Sequence, residues 1–458
     1  MNEYILEPAI NVEVMDRANV LVIGAGPAGC AAAIAAARAG AGRVILAERY
    51  NHLGGMATGG QVILIPSLSY KKTMMIKGIM LEALEKLSSI KNGFFGPSRD
   101  IMGSEKSSDV ERWKPYFNMT RNEHVCYGGY TDPEIFKIVL QQMIEDAGVI
   151  VYLHCWGCRA IGQGGIVHGV CFESKEGRKA ILADTVIDCT GDGDIAASAG
   201  ASFRHAYHDG LRNASLGLVY RLGIEDFQKF TDYTVVDREG WKLHNKKLNE
   251  ISGFPIVLFP TGQSNVAWVD NWLLGYDCLN VKDLTTVEFR VRRTIFDVIE
   301  YVNNNKIPGL YPMTLYDTAY QTGTRGSRRI LCNKELSIQD VYQGTSFDDV
   351  VAVLPSIEVI TVKGGLDEIY PEKPTQIPLG ALQVKNMKNL LVAGRCFSSD
   401  AQANNLINLI PHCFAMGQAA GVACAVAVRS GTEVSNVNYV EVREELLCQG
   451  VYLPDGEK

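Results

Sequence analysis

Three closely spaced glycines and a later acid form the strongest chemical pattern in this 458-residue sequence. Residues 20–29 read Val-Leu-Val-Ile-Gly-Ala-Gly-Pro-Ala-Gly, typical of a buried strand, a tight turn and the start of a helix. In such a turn Gly24 permits the bend, Gly26 lets the backbone approach a pyrophosphate, and Gly29 allows close helix packing. Glu48, which ends a second strand-like run, can accept hydrogen bonds from a ribose. These four residues predict a dinucleotide site.

A basic run offers a second kind of chemistry. Residues 324–329 read Thr-Arg-Gly-Ser-Arg-Arg, so Arg325, Arg328 and Arg329 place three guanidinium groups within five positions. Guanidinium groups can clamp carboxylates and phosphates through paired hydrogen bonds. We expect at least one of them to contact substrate or cofactor, and Arg328 is taken as a candidate catalytic residue. The alternative is ordinary salt bridges to neighbouring acids.

Two acids follow a second glycine turn. Asp192 and Asp194 lie in Thr-Gly-Asp-Gly-Asp, directly after Thr190 and Gly191. Paired carboxylates can act in acid–base catalysis. Short polar side chains after a glycine turn more often cap the next helix, however, and capping is the interpretation we favour.

Two histidines follow shortly afterwards. His205 and His208 are three residues apart and precede Asp209. This spacing can suggest a metal site, but the neighbouring sequence lacks further ligands, so no metal is predicted. His205 is kept as a candidate general base.

Three separated segments supply the elements that would hold these residues, at 16–65, 128–200 and 361–435. The second contains a helix predicted from Pro133 to Asp146 with Asp132 as its N-cap, and the third contains one from about Pro411 to Val428. We assign all three to one α/β nucleotide-binding domain. Residues 66–127 are interpreted as an insertion, 201–360 as a mixed α+β substrate or cap domain, and 436–458 as a helical tail.

Composition narrows the class of protein. The net charge of −7 disfavours nucleic acid as a partner. The most apolar run, residues 413–428, is short for a membrane span, and its Gly417 and Gly421 are better explained by a buried helix packed on a sheet. The first residues do not resemble a signal peptide, and twelve scattered cysteines suit a reducing compartment. We therefore expect a cytoplasmic protein that acts on a small-molecule substrate, has no membrane partner and can form a homo-oligomer.

Four blocks together resemble the FAD-dependent oxidoreductases related to glutathione-reductase-type and fumarate-reductase-type flavoproteins. They are the glycine turn with Glu48, Leu-Gly-Gly-Met-Ala at 53–57, Thr-Gly-Asp-Gly-Asp at 190–194, and Leu-Val-Ala-Gly-Arg at 391–395 followed by Gly-Gln-Ala-Ala-Gly at 417–421. The resemblance spans residues 20–425. It implies a Rossmann-like FAD/NAD(P)-binding domain assembled from three segments, with FAD as the cofactor.

The resemblance also implies roles for individual residues. The first glycine turn and the Gly394–Arg395 turn approach the pyrophosphate from two sides, Glu48 binds the adenosine ribose, and the loop at Gly54 and Gly55 passes beside the flavin. The last helix aims its N-terminus at the flavin pyrimidine edge, where its positive end stabilises a reduced, anionic ring. The full set of implied cofactor contacts is Gly24, Gly26, Pro27, Ala28, Gly29, Glu48, Arg49, Gly54, Gly55, Met56, Thr190, Gly191, Asp192, Gly394, Arg395 and Ile410.

The region before the last helix departs from the family pattern. Relatives often have Leu-Arg-x-Met-Pro there, whereas this chain has an amide, Asn408, in Leu-Ile-Asn-Leu-Ile-Pro. His412 begins the predicted flavin-facing helix and is a candidate base; the alternative is a histidine hydrogen-bonded to nearby backbone. A redox role for Cys413 and a covalent flavin link through His52 are weaker alternatives, so we expect noncovalent FAD.

These observations predict an enzyme that transfers hydride between flavin N5 and a small polar organic molecule, such as a hydroxyl- or amine-bearing acid or a sugar-like compound. Alternatives are a reduced-flavin enzyme that catalyses hydration or isomerisation, and an electron-transfer subunit of a larger complex. The absence of a run of cluster-binding cysteines in the sequence disfavours the electron-transfer subunit. A simple NAD-binding module is a third alternative.

Overall fold

The computed structural model describes residues 5–209, 215–355 and 373–454. Residues 361–372 of the predicted third segment, 210–214 and 356–360 of the predicted substrate domain, and 455–458 of the predicted tail lie outside the described residues. The described helices are α1 (Pro27–Arg38), α2 (Gly78–Ser88), α3 (Ser107–Trp113), α4 (Pro133–Asp146), α5 (Asp194–Ser198), α6 (Ala206–Asp209), α7 (Phe227–Val236), α8 (Arg238–Ser252), α9 (Val281–Asn305), α10 (Ile338–Gln343), α11 (Ala401–Ile407), α12 (Ile410–Ser430) and α13 (Tyr439–Cys448).

The described strands lie between these helices, and several follow one another directly along the chain. They are β1 (Glu13–Ile23), β2 (Val44–Ala47), β3 (Leu64–Ile65), β4 (Ser69–Tyr70), β5 (Thr73–Met74), β6 (Phe94–Phe95), β7 (Thr120–Arg121), β8 (His124–Val125), β9 (Gly129–Thr131), β10 (Ile150–Tyr152), β11 (Trp156–Gln163), β12 (Ile166–Ser174), β13 (Gly177–Asp188), β14 (Phe203–His205), β15 (Leu216–Gly217), β16 (Tyr220–Gly223), β17 (Ile256–Pro260), β18 (Val266–Asn271), β19 (Thr314–Thr318), β20 (Gly323–Thr324), β21 (Arg328–Ile330), β22 (Val350–Leu354), β23 (Thr375–Pro378) and β24 (Leu390–Val392).

The largest sheet within the described residues has seven strands and carries the glycine turn near its centre. Strands β10, β2, β1, β13 and β24 pair in parallel, and β12 and β11 continue the sheet in antiparallel fashion. Ile23 pairs with both Ala47 and Asp188, and Asp188 also pairs with Val392. Four parallel strands therefore end at one edge, which brings together turns from three distant segments. The predicted three-segment α/β fold is confirmed.

Helix α12 packs against α1 in the core beneath this sheet. A Cβ at Gly417 or Gly421 would collide with the carbonyl oxygen of Ala28 or Ala32, so the glycines allow two helix backbones to approach closely. The sequence predicted close packing on a sheet, but the partner is a helix. Among the described residues, α12 alone has the length and hydropathy of a membrane span, and 94% of that window is buried inside the protein. Core packing therefore accounts for its apolar sequence.

The second domain is built on the antiparallel sheet β17–β18–β16–β19. Its core buries one face of α9 through residues spaced three to four apart: Val287, Val291, Ile295, Val298 and Val302. This is the spacing of an amphipathic helix laid on a sheet. Two short ladders, β14–β21 and β15–β20, connect this domain to the nucleotide-binding domain.

The hydrophobic cores divide the chain differently from the predicted boundaries. Val350–Leu354, placed by sequence in the substrate domain, lies in the core of the nucleotide-binding domain with Leu336 and Ile338. The predicted insertion, residues 66–127, is divided between the two domains. Helix α2 packs into the core of the nucleotide-binding domain, whereas Trp113 and Met119 belong to the core of the second domain. These residues join their cores through contacts distant in sequence, so local composition did not indicate them.

Candidate functional site

A cavity of about 490 Å³ runs from the glycine turn to the sheet of the second domain. This volume is within the usual range for small-molecule sites. All the predicted cofactor contacts line it except Gly29 and Gly54: they are Gly24, Gly26, Pro27, Ala28, Glu48, Arg49, Gly55, Met56, Thr190, Gly191, Asp192, Gly394, Arg395 and Ile410.

The two exceptions shape the turns behind the cavity wall. A Cβ at Gly29 would collide with the carbonyl oxygen of Gly24, so Gly29 serves the close packing of α1 on the turn. Gly54 has a φ of +90° and precedes the 3-10 turn Gly55–Ala57. A side chain at Gly54 would also meet Leu140, at 2.8 Å.

Gly26 and the start of α1 form the part of the site that fits a pyrophosphate. Within the described part of the chain, a Cβ at Gly26 would meet no atom within 4 Å and would extend into free space beside the backbone. The helix begins at Pro27, and the first N–H groups of any helix have no intrahelical acceptor. Free space, N–H donors and the positive helix end together suit a phosphate anion.

Glu48 is held in the wall at the end of β2. It is 5% exposed; Oε2 accepts a hydrogen bond of 2.6 Å from the backbone N–H of Ala25, and Oε1 one of 2.9 Å from that of Tyr50. Each carboxylate oxygen can accept more than one hydrogen bond. The carboxylate is therefore fixed in position and can still accept hydrogen bonds from ribose hydroxyls.

An ion pair between a half-buried arginine and a buried aspartate lies in the cavity wall. Arg395 Nη2 lies 2.8 Å from Asp192 Oδ1, which also accepts a 2.6 Å hydrogen bond from Ser327 Oγ. Burial alone would raise the pKa of Asp192, but the charge and hydrogen bond of Arg395 outweigh burial and lower that pKa. A Cβ at Gly191 would stand 2.7 Å from Arg395 Cζ, so the glycine makes room for the guanidinium group.

The capping role predicted for Asp192 and Asp194 is wrong. Asp194 pairs with Arg328 at 2.7 Å, and Gly193, not an acid, occupies the N-cap of α5. The helix is capped instead by residues before the turn: Thr190 Oγ1 accepts from the N–H of Asp194 at 3.0 Å, and Asp188 accepts from that of Ala196 at 2.8 Å. Because Thr190 and Asp188 accept from the N–H groups at the start of α5, the carboxylates of Asp192 and Asp194 are not needed for capping and form ion pairs instead.

His412 does not line the cavity. It is fully buried, whereas Ile410 and Cys413 on the same helix lie in the cavity wall. Because a helix turns by about 100° per residue, His412 projects almost opposite to Ile410. Burial, with a smaller contribution from the charge of Arg325, lowers the pKa of His412 to about 3. The structure therefore gives no support to His412 as a base in contact with substrate.

His205 also lies outside the cavity wall. Its Nε2 is 3.2 Å from Asp277 Oδ1, and its ring meets that of His208 edge-on at 4.8 Å. No group of three or more His, Cys, Asp or Glu side chains in the described ranges is arranged to hold a metal ion. His205 is thus placed beside an acid at the domain junction, away from the lining residues.

The three arginines of the basic run have separate environments. Arg328 pairs with Asp194, and Arg329, 2% exposed, donates to the carbonyl of Ser399 at 3.0 Å. Arg325 alone of the three lines the cavity. Arg328 does not line the cavity, and its salt bridge accounts for it. Of the three arginines, only Arg325 lies where it could contact a bound substrate or cofactor.

The part of the cavity wall that the second domain supplies was missed from the sequence. It includes Trp268, Asp270 and Trp272, which follow one another at alternate positions in and after β18. Alternate strand residues share one face, so this aromatic–acid–aromatic pattern was the available sequence signal. From other elements come Ser215, Phe117, Phe259, Glu288, Gln321 and Asn408.

The match to a family model covers nearly the whole chain: the model, described as FAD dependent oxidoreductase, matches residues 19–446. Similar solved structures include a geranylgeranyl bacteriochlorophyll reductase-like protein from Thermoplasma acidophilum (16% identity, 94% of this chain and 83% of that chain, TM-score 0.46). A myxobacterial chondrochloren halogenase (12%, 94% and 78%, 0.46) and p-nitrophenol 4-monooxygenase from Pseudomonas putida (10%, 96% and 91%, 0.45) are others. A search of curated protein sequences gave no significant match. From the extent of the family match, the chain belongs to the FAD-dependent oxidoreductase family.

Proposed function

We propose that this FAD-dependent enzyme transfers hydride between flavin N5 and a small polar organic substrate that bears a hydroxyl or an amine. The observation that carries the proposal is the continuity of the cavity. It starts at the glycine turn and Glu48 and ends at polar and aromatic side chains of the second domain, such as Trp268 and Gln321. One cavity is thus lined both by groups that suit the cofactor and by polar and aromatic groups that suit a substrate.

The nucleotide-binding domain supplies the residues that would hold FAD. Gly26 and the start of α1 suit the pyrophosphate, and Glu48 suits the ribose. Met56 and the N-terminal residue of α12, Ile410, suit the ring system. The positive end of this helix favours negative charge beside it. Bound FAD supplies a two-electron acceptor and donor at N5.

The second domain supplies the groups that would meet the substrate. Oxidation of an alcohol or amine removes a hydride from carbon and a proton from oxygen or nitrogen. Asp270 lines this end and provides a carboxylate that can take the proton, whereas His205 and His412 lie outside the cavity wall. Glu288 also lines the cavity, but its oxygens already accept hydrogen bonds from Arg292 and Thr322. A separate two-electron acceptor must then reoxidise the enzyme, and this acceptor would enter the same cavity after the product has left.

Anaerobic reduction of the purified holoenzyme tests this proposal. A panel of sugars, hydroxy acids, amines and nicotinamides is mixed with the enzyme while the visible flavin band is followed. Bleaching by one class identifies the donor. Failure of the whole panel, with FAD bound, would contradict substrate oxidation, and turnover that needs reduced FAD but consumes no electrons would identify a non-redox enzyme instead.

A further inference from the structure

Four buried polar atoms belong to residues that line the cavity and have no hydrogen-bond partner among the residues that the structure describes. They are Gln321 Oε1, Asn408 Oδ1, Trp268 Nε1 and Ser215 Oγ. The residues themselves are 7%, 8%, 1% and 1% exposed. Buried polar atoms in folded proteins are nearly always paired, so a group of four beside one cavity points to partners on a ligand.

The orientation of one of these groups is fixed by the structure. Asn408 Nδ2 donates to the carbonyl oxygen of Arg325 at 2.6 Å and to Asn404 Oδ1 at 3.2 Å. Since both neighbours are acceptors, the amide nitrogen must face them, and Oδ1 is left as an acceptor. Gln321 Nε2 lies 3.2 Å from the sulfur of Met56, which leaves Gln321 Oε1 as a second acceptor.

The set combines acceptors with a donor. Asn408 Oδ1 and Gln321 Oε1 can only accept, Trp268 Nε1 can only donate, and Ser215 Oγ can do either. A ligand carboxylate only accepts, so it cannot serve the two amide oxygens. A ligand ammonium only donates, so it cannot serve the indole. Hydroxyl groups both donate and accept, and they can satisfy the whole set.

Aromatic rings form an apolar surface beside these polar atoms. Trp268 and Phe259 have ring centroids 5.2 Å apart, and Phe259 and Phe117 have centroids 6.1 Å apart. All three residues line the cavity. A sugar or cyclitol ring has an apolar C–H face and a polar hydroxyl edge, which matches an aromatic wall bordered by hydrogen-bonding groups.

We propose that the substrate is a neutral, polyhydroxylated ring compound, and that Gln321 and Asn408 determine this specificity. The proposal rests on the proposed function, because it names the substrate class for the same cavity. Asp270 lines the same cavity and adds a carboxylate that can accept from hydroxyl groups, and Glu288 beside it already accepts hydrogen bonds from Thr322 and Arg292.

The test uses holoenzyme and matched rings that differ in charge: glucose and myo-inositol as neutral members, glucuronate as the acid and glucosamine as the amine. Binding is measured by tryptophan fluorescence and by perturbation of the flavin spectrum, so it does not depend on turnover. We expect at least one neutral ring to bind at least about tenfold more tightly than both charged rings, the effect of about one hydrogen bond to a charged group.

The variant Gln321→Leu should weaken binding of the neutral ring about tenfold with little effect on FAD content. The exposed Gln141, which bonds to Glu145 on α4, provides the control variant Gln141→Leu, expected to bind as wild type. Preference for glucuronate or glucosamine, lack of binding by both neutral rings, or unchanged binding in Gln321→Leu would overturn the proposal. If an acid or amine reduces the flavin, the proposed function stands while this substrate assignment fails.

Discussion

Two glycines of the same turn are expected to respond in opposite ways to the same substitution. A Cβ at Gly26 would meet no atom of the described residues within 4 Å, whereas a Cβ at Gly29 would collide with the carbonyl oxygen of Gly24. Gly26 has a φ of −68°, which alanine adopts freely. Gly26→Ala should therefore fold without FAD and bind FAD poorly, and Gly29→Ala should destabilise the fold itself.

The magnitudes follow from the same geometry. In Gly26→Ala the added methyl takes the space into which the pyrophosphate must come, so we expect FAD to bind at least about 100-fold more weakly, or about 2.8 kcal/mol. The apoprotein should change by less than about 1 kcal/mol, since an N-cap glycine is only modestly better than alanine. Gly29→Ala adds a methyl to a closed backbone contact, and such overpacking costs about 1–3 kcal/mol or more.

Both quantities are accessible with purified protein. Urea unfolding of the apoproteins gives the stability of each variant, and quenching of FAD fluorescence on titration gives the dissociation constant. The reasoning is refuted if Gly26→Ala binds FAD as tightly as wild type, or if apo Gly29→Ala is as stable as wild type. Loss of stability in both variants would mean that Gly26 supports the fold and not the cofactor.

Three further predictions concern buried titratable groups. Burial raises the pKa of Asp188 to about 6, so its contribution to stability is full below its unfolded pKa of 3.8 and is lost as pH rises through 6. We therefore expect the stability of wild type relative to Asp188→Asn to fall by about 3 kcal/mol over this range. Urea unfolding at several pH values measures this difference. His412→Leu should leave the rate of flavin reduction within about threefold of wild type, because the imidazole ring lies outside the cavity wall. A loss of about 100-fold, the low end of a general base's contribution, would instead identify His412 as the base. Arg395→Met leaves Asp192 buried without its partner and should cost about 3 kcal/mol in the apoprotein, and unchanged urea unfolding would show that the ion pair contributes little.

The features that the sequence predicted well are those set by local geometry. The glycine turn needs particular backbone angles within a few residues, and Gly24 has a φ of +90° as a tight turn requires. Helix α4 runs over the predicted Pro133–Asp146, and Asp132 Oδ1 accepts from the N–H groups of Glu134 and Ile135 at 2.9 and 3.0 Å. Capping and turn chemistry act between near neighbours, so they can be recognised in one sequence.

The features that the sequence predicted badly depend on how a side chain is oriented within its helix or strand. The start of α12 was predicted to within one residue, yet His412 was assigned to the wrong face, because one helical step moves a side chain by about 100°. Asp192 and Asp194 were assigned to capping because Arg395 and Arg328, their partners, are more than a hundred residues away. Such pairs form only after the sheet has brought the segments together.

For the second-domain wall of the cavity, the sequence could not predict which face of strand β18 meets the cavity, because that depends on strand register. Trp268 and the adjacent Val269 are both buried in the second core, but only Trp268 of the two lines the cavity. This assignment is fixed by pairing Val269 with Tyr220 on one side and Leu258 on the other. A slip of one residue would exchange the two side chains between faces and remove the indole from the cavity. The local pattern shows that Trp268, Asp270 and Trp272 share a face of the strand, but which face meets the cavity depends on strand pairing across about fifty residues.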